Sequence, residues 1–245
     1  MLEEAAGLYK RLFDRENGGF GGAPKFPSSH NLLFLLAYYR RRGDQDCLEM
    51  AERTLTQMYR GGLFDHIGGG FCRYSTDERF LVPHFEKMLY DNALLILAYC
   101  EAYSVTRKRL YLLAAERTTD FILREMTAPE GGFYSALDAD SGGEEGKYYL
   151  FKPEEIIRLL GPERGESFNQ HFDITKAGNF EGKSIPNLLH SNPEDRSFDS
   201  LLETIYQYRK SRCSLSLDDK ILTAWNALVI AALCRLYQVG GKQKY

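Results

Sequence analysis

Asn92-Ala93-Leu94-Leu95-Ile96-Leu97-Ala98-Tyr99 is a helical run with almost no polar face. Leu32–Tyr39 and Ala227–Leu236 have the same character. A helix that is apolar nearly all round is packed on more than one side. The segments 44–60, 108–126 and 195–211 are instead amphipathic, as a helix with one wet face is. Helices are expected at 2–13, 28–42, 44–60, 84–104, 108–126, 153–160, 195–211 and 219–239. Short pieces such as Lys147–Phe151 look extended, but no sheet is expected. Ser28 and Asp44 are placed to cap the second and third helices, and Gly61-Gly62 to end the third in a left-handed turn.

One pattern recurs on the apolar helices: Asn31-x-Leu33-x-x-x-Ala37, Asn92-x-Leu94-x-x-x-Ala98 and Asn226-x-Leu228-x-x-x-Ala232. The spacings of 61 and 134 residues read as one hairpin and then two. Gly-Gly-Phe recurs as well, at Gly18-Gly19-Phe20, Gly69-Gly70-Phe71 and Gly131-Gly132-Phe133. Repeats of this length mark stacked helical units. The fold class is therefore all-α, an (α/α) toroid with inner and outer helices. Residues 1–245 hold about four hairpins, fewer than a closed ring of 60-residue hairpins needs, so the toroid is expected to be partial. The long connections, 14–27, 61–83 and 127–152, all run from outer to inner helices and so gather at one mouth. Long loops in a compact domain are usually functional, and inner-helix N-termini there favour anionic groups.

Composition excludes several classes. A net charge of −3 gives no electrostatic reason for nucleic acid or an anionic membrane. No apolar run reaches the length of a membrane span. Five scattered cysteines, odd in number and without C-x-x-C, argue against disulfides, zinc or dithiol redox chemistry. The N-terminus lacks the apolar core of a signal peptide, and a reducing cytoplasm fits all of this. No metal and no cofactor is expected: the five histidines are dispersed and no H-E-x-x-H occurs. Asp138 to Tyr149 fails the calcium-loop template at Gly142 and Tyr149, and Gly178–Ser184 lacks the spacing of a phosphate loop.

Three stretches carry candidate chemistry. Gly62–Asp77 followed by Pro83–Asn92 brings Asp65, His66, His84 and Glu86 to one loop-to-helix junction. Histidine exchanges protons near neutral pH, and carboxylates do so when burial shifts them. Asp65 and His66 can equally serve as loop caps, and Lys87 and Asp91 as an i, i+4 pair. Ser135–Tyr149 offers Asp138 and Asp140, as catalytic carboxylates or as a solvated acidic turn. Leu217–Asn226 places Asp219, Thr223 and Asn226 on one helical face, either as ligand contacts or as a network tying inner helices together. Tyr74, Asp91, Asn92, Asp219, Lys220, Trp225 and Asn226 are the candidate substrate-binding residues, Tyr74 and Trp225 as stacking faces.

The motifs Gly18–Pro27, Arg73-Tyr74-Ser75-Thr76-Asp77, Pro83–Asn92, Ala139-Asp140-Ser141 and Trp225-Asn226 resemble those of the YyaL-type family, whose vertebrate members are spermatogenesis-associated proteins with a thioredoxin-like domain. The resemblance implies a six-hairpin α/α toroid related to N-acylglucosamine 2-epimerases and to glycoside hydrolases of the same barrel. Relative to that pattern the thioredoxin-like domain and the last hairpins are absent, as segments another chain can supply, and Ser214-Leu215-Ser216 replaces a segment often rich in proline and histidine. Two functions follow as expectations. One is a sugar-active domain, an epimerase, isomerase or hydrolase working by acid/base chemistry on a sugar-like small molecule. The alternative is a non-catalytic binding module attached to a thioredoxin-like redox domain.

Overall fold

A computed structural model describes the whole chain, Met1–Tyr245. It forms α1 (Leu2–Leu12), α2 (Ser29–Arg42) and α3 (Gln45–Arg60), then the two-residue strands β1 (Tyr74–Ser75), β2 (Pro83–His84) and β3 (Lys87–Met88). There follow α4 (Leu89–Thr106), α5 (Arg109–Glu125), β4 (Ala136–Leu137), β5 (Asp140–Ser141) and β6 (Glu144–Glu145). The last elements are α6 (Pro153–Leu160), α7 (Pro162–His171), α8 (Asp199–Arg212), β7 (Leu217–Asp218) and α9 (Thr223–Gly240). No helix is long and apolar enough to cross a membrane.

The apolar runs become the inner layer. α2, α4 and α9 lie side by side in that order, and α1, α3 and α5 back them. α4 is held on all sides, and Ala93, Leu95, Ile96, Ala98, Tyr99 and Cys100 are fully buried. The inner helices are joined at their far ends by an ion triplet. Arg40 of α2 and Arg235 of α9 donate to Glu101 of α4 at 2.9 and 2.6 Å. Each of the three stands nine residues after its repeat asparagine, so the triplet links equivalent positions of the repeat.

Several expectations are corrected. α9 packs directly against α4, so the 134-residue interval does not separate two ring positions. It holds α5 and an excursion in which α6 packs on α7 and α8. α7 was not expected; Pro162 at its start and Gly165 within it disguise a short polar helix. Extended backbone does occur: β3, β4 and β7 form a three-stranded antiparallel sheet, with Lys87 opposite Leu137 and Ala136 opposite Asp218. Residues 84–88 lie in β2, β3 and the segment between them rather than in helix, so α4 begins at Leu89, and α9 begins at Thr223, after β7, rather than at 219. Asp44 caps α3 through the Cys47 amide, whereas Ser28 is left-handed and its hydroxyl caps nothing. Gly61 is extended, not left-handed; it is glycine because a Cβ would collide with the Phe80 carbonyl.

α9 is the exception to all-round burial. Val229, Ala232 and Leu236 are buried, while Ile230 is 60% and Tyr237 48% exposed on its other side. One hydrophobic cluster joins Leu95, Ile96 and Tyr99 of the inner layer to Phe151, Ile156, Phe168 and Ile205 of the excursion, so the excursion is part of the same core.

Candidate functional site

Each outer helix ends in a turn that leads to Gly-Gly-Phe, and two of these turns are chemically the same. Asp14 and Asp65 open them, four residues before the first glycine. Asp14 Oδ1 accepts from the Glu16 and Asn17 amides; Asp65 Oδ1 accepts from the Ile67 and Gly68 amides. A lysine then locks each turn from outside it. Lys25 donates to Asp14 Oδ2 at 2.5 Å and to the Gly18 carbonyl at 2.8 Å. Lys87 donates to Asp65 Oδ2 at 2.8 Å and to the Gly69 carbonyl at 2.7 Å. Each ammonium faces an aromatic ring, Phe80 for Lys25 and Phe121 for Lys87. Gly70, at φ 79°, lies where a Cβ would strike that Phe121 ring.

The second lock has a third member. Arg209 of α8 grips Asp65 bidentately, both nitrogens at 2.9 Å, beneath the rings of Tyr148 and Tyr149. Asp65, Lys87 and Arg209 are 7%, 1% and 2% exposed. Burial raises the Asp65 carboxyl, but Arg209 and Lys87 outweigh it and hold the group well below the usual carboxylate range. His66 is enclosed by Tyr59, Phe64 and Phe172, with Nε2 3.2 Å from the Gly61 carbonyl. Burial, then the charge of Arg117, lowers it to about 3. Asp65 and His66 thus stand in the wall, away from solvent.

The asparagines of the inner helices clamp the phenylalanines of the turns. Asn92 accepts from the Phe71 amide at 2.7 Å and donates to its carbonyl at 3.0 Å. Asn226 does the same to Phe133, at 2.7 and 2.9 Å. Both amides are therefore occupied by the backbone. Asn31 instead accepts from the Tyr9 hydroxyl.

At the mouth, β1 and β2 put Tyr74 opposite His84, stacked at 5.1 Å, with Phe26 on the other side of Tyr74 at 4.8 Å. His84 Nδ1 lies 2.7 Å from Glu145 Oε1, and Nε2 3.7 Å from Glu86. Arg73 donates to Glu86 at 2.9 Å. Asp91, in the first turn of α4, completes the cluster. Burial raises its carboxyl to about 6, against the opposing pull of Tyr90 and Arg73. Among carboxyl groups with a shift it alone moves upward. Trp225 meets Tyr90 edge-on at 4.8 Å, so α4 and α9 share an aromatic wall.

The structure thus brings Tyr74, His84, Glu86, Asp91 and Trp225 together. Asp138 and Asp140 are exposed, Asp138 accepting from the Asp140 amide and Asp140 paired with Glu145 across β5–β6. Asp219 and Lys220 are exposed at the entrance to α9, and Lys220 pairs with Asp218 at 2.6 Å. No group of three histidines, cysteines or carboxylates is placed to hold a metal. Arg73, Tyr90 and Glu145 were absent from the expected site. Arg73 and Tyr90 stand beside expected residues, but Glu145 is 61 residues from His84 and no local signal joins them.

No protein-family model matches the chain. Its fold is similar to a sugar epimerase from a ruminal bacterium, at TM-score 0.51 and 16% identity over 98% of this chain and 80% of that one. It is also similar to cellobiose 2-epimerase from Bacillus thermoamylovorans, at TM-score 0.50 and 14% identity over 99% and 83%. These likenesses place the chain in the six-hairpin glycosidase-like fold class. In sequence it is 36% identical to human spermatogenesis-associated protein 20 over 89% of this chain and 33% of that protein. An uncharacterised Caenorhabditis elegans protein is 32% identical over 95% of this chain and 37% of that protein. The expected resemblance holds: over a span of about a third of the length of these relatives, the chain is similar to the spermatogenesis-associated family.

Proposed function

We propose that the mouth binds a sugar-like molecule and carries out acid/base chemistry on it, with Asp91 exchanging the proton. The observation that carries this reading is the Asp91 carboxyl, raised to about 6 by burial beside Arg73 and Tyr90. A group poised near the working pH is the most effective general acid or base. Arg73 and Glu86 orient ligand hydroxyls, Tyr74 and Trp225 offer stacking faces, and His84, tethered by Glu145, supplies a second exchangeable proton. Two proton-exchanging groups of different type suit inversion or isomerisation at a carbon beside a carbonyl. The epimerase fold of the structural neighbours supports the same class.

The test is hydrogen exchange. The chain is incubated in D2O with mannose, glucose and cellobiose, and deuterium at C2 is read by NMR. Exchange with the wild type, lost in Asp91→Asn while sugar quenching of Trp225 fluorescence persists, is the expected result. Absence of both exchange and quenching with all three sugars overturns the reading.

One observation favours a second reading, a binding module without catalysis. Arg73 with Glu86 and His84 with Glu145 are already paired, as in a structural network. Quenching without deuterium uptake selects it.

A further inference from the structure

Away from the mouth cluster, two clefts adjoin at the C-terminal end of α8. The deeper, about 160 Å³, is walled by Phe121, Leu137, Tyr148, Tyr149 and Leu215, with Lys87 and Arg209 in its lining. The shallower, about 170 Å³, is lined by Lys147, Lys152, Glu155, Lys183, Arg212 and Cys213. Cys213 lines both, so they meet at its thiol.

Both clefts carry excess positive charge. In the deeper one the reason is visible by comparison within the molecule. The Asp14–Lys25 lock is neutral, whereas Arg209 gives the equivalent Asp65–Lys87 lock a net positive charge. A buried net charge is costly unless an opposite charge approaches it. In the shallower cleft Lys147 and Lys183 share one carboxylate, Glu144, at 3.3 and 3.0 Å. Arg212 pairs with Glu155 at 3.1 Å. Lys152 is exposed and makes no ion pair. Four cations against two carboxylates leave two positive charges, on a chain whose net charge is −3.

We infer that these paired clefts bind a small phosphomonoester, its phosphate held by Lys147, Lys152, Lys183 and Arg212 and its body lying past Cys213 against Tyr148 and Tyr149. Two residual positive charges match a phosphate dianion and exceed what a single carboxylate needs. Lysines act as mobile point charges for phosphate, and the Arg212 guanidinium, fixed to the Leu150 carbonyl at 2.9 Å, supplies the rigid wall. Leu137, Tyr148, Tyr149 and Leu215 give the deeper cleft an apolar wall for the body to lie against. The site shares no lining residue with the cluster around Asp91, so it stands whether or not the mouth is catalytic.

Cys213 is a built-in reporter, and exposed Cys234 an internal control. The chain is labelled with N-ethylmaleimide in the presence of glucose 6-phosphate, glucuronate, glucose or inorganic phosphate, and both cysteines are followed by peptide mass spectrometry. Glucose 6-phosphate is expected to slow Cys213 labelling about tenfold with Cys234 unchanged, and inorganic phosphate to slow it less. Replacing Lys147, Lys152 and Lys183 by alanine removes the protection; replacing them by arginine keeps it. Lys152→Ala alone, at an exposed position, weakens it several-fold and serves if the triple variant fails to fold. Equal protection by glucose or by glucuronate overturns the phosphate assignment, as does protection that survives the alanine changes. Equal protection by inorganic phosphate overturns the placement of the body, and no protection by any probe overturns the site.

Discussion

Asn226 holds Phe133 by both its backbone groups, at 2.7 and 2.9 Å, as Asn92 holds Phe71 across the neighbouring pair of helices. At these two places the Asn-x-Leu of an inner helix and the Gly-Gly-Phe after an outer one are therefore the two halves of one clamp, whereas Asn31, in the first copy, bonds Tyr9 instead. Each clamp ties the end of an outer turn to the first turns of an inner helix, and so sets where the mouth residues stand. Asn92→Ala leaves a buried amide and carbonyl unpaired and is expected to cost about 2–4 kcal/mol. Asn226, partly exposed, costs about half as much when changed to Ala, since water reaches its partners. Urea unfolding of the two variants checks the order; an equal loss at both sites contradicts it.

The duplicated lysine locks predict a ranking around Asp65. Asp14–Lys25 is complete with two members, so Arg209 is an addition to the second lock. Asp65→Asn abandons two buried cations and is expected to cost about 3–5 kcal/mol. Arg209→Met leaves a lock like the first and fills its volume with an apolar chain, so a loss of about 1–2 kcal/mol is expected. Chemical denaturation of both measures this, and Arg209→Met matching Asp65→Asn is the outcome that defeats it.

His66 sets the onset of acid instability. It stays neutral in the fold down to about 3, while in the unfolded chain it protonates near 6.5. The unfolded state therefore binds the extra proton first, and stability falls as pH drops from 6.5 towards 3, by up to about 1.4 kcal/mol per pH unit. Asp14 adds a later loss. Burial raises it, but the Asn17 amide and Lys25 bring it to about 2, so its contribution is present above the unfolded value and disappears as pH falls through 2. His66→Gln is expected to flatten the first arm and leave the second. Unfolding free energies at half-unit pH steps read both, and an unchanged slope above pH 4 in His66→Gln rules the assignment out.

The outer side of α9 predicts self-association. Ile230 and Tyr237 stand exposed on a helix whose opposite side is core, and Ala227, Ala231 and Cys234 are exposed along with them. A continuous apolar strip of this kind draws helices together. Sedimentation velocity is expected to show concentration-dependent oligomers that Ile230→Glu disperses; a monomer at all concentrations is the contrary result.

How far the sequence foretold this molecule depends on the range of the interaction. The inner helices were legible because Leu95, Ile96 and Tyr99 repeat at helical spacing, and periodicity is local. The strands were not, since β3, β4 and β7 are two residues each and exist only by pairing with segments 48 and 80 residues away. Asp65 was legible as important but not as a wall residue. The signal was present: Asp-x-x-x-Gly-Gly-Phe occurs at 14–20 and again at 65–71, and a residue type kept in a repeated turn speaks for architecture. Asp91 was readable as a ligand contact or as the i, i+4 partner of Lys87, which pairs with Asp65 instead. Its proton affinity comes from burial among Arg73, Tyr90 and Glu86, which spacing along the chain does not encode.

Asp91 is where function and stability are expected to oppose each other. Unfolded, its carboxyl ionises near 3.8; folded, near 6. Between those values the folded state holds a proton that the unfolded state has released. Above pH 6 both states are ionised, and the fold carries the cost of a half-buried charge. Asp91→Asn keeps the shape and removes that charge, so at pH 7 the variant is expected to be more stable than the wild type by about 1–2 kcal/mol. At pH 4, where the wild-type carboxyl is largely protonated in the fold, the advantage vanishes. If Asp91 acts as the base, deuterium exchange at the mouth rises with pH through about 6 in the wild type and is absent from the variant. A variant less stable than wild type at pH 7 would show that Asp91 is a structural tie, and the proton-exchanging role would go with it.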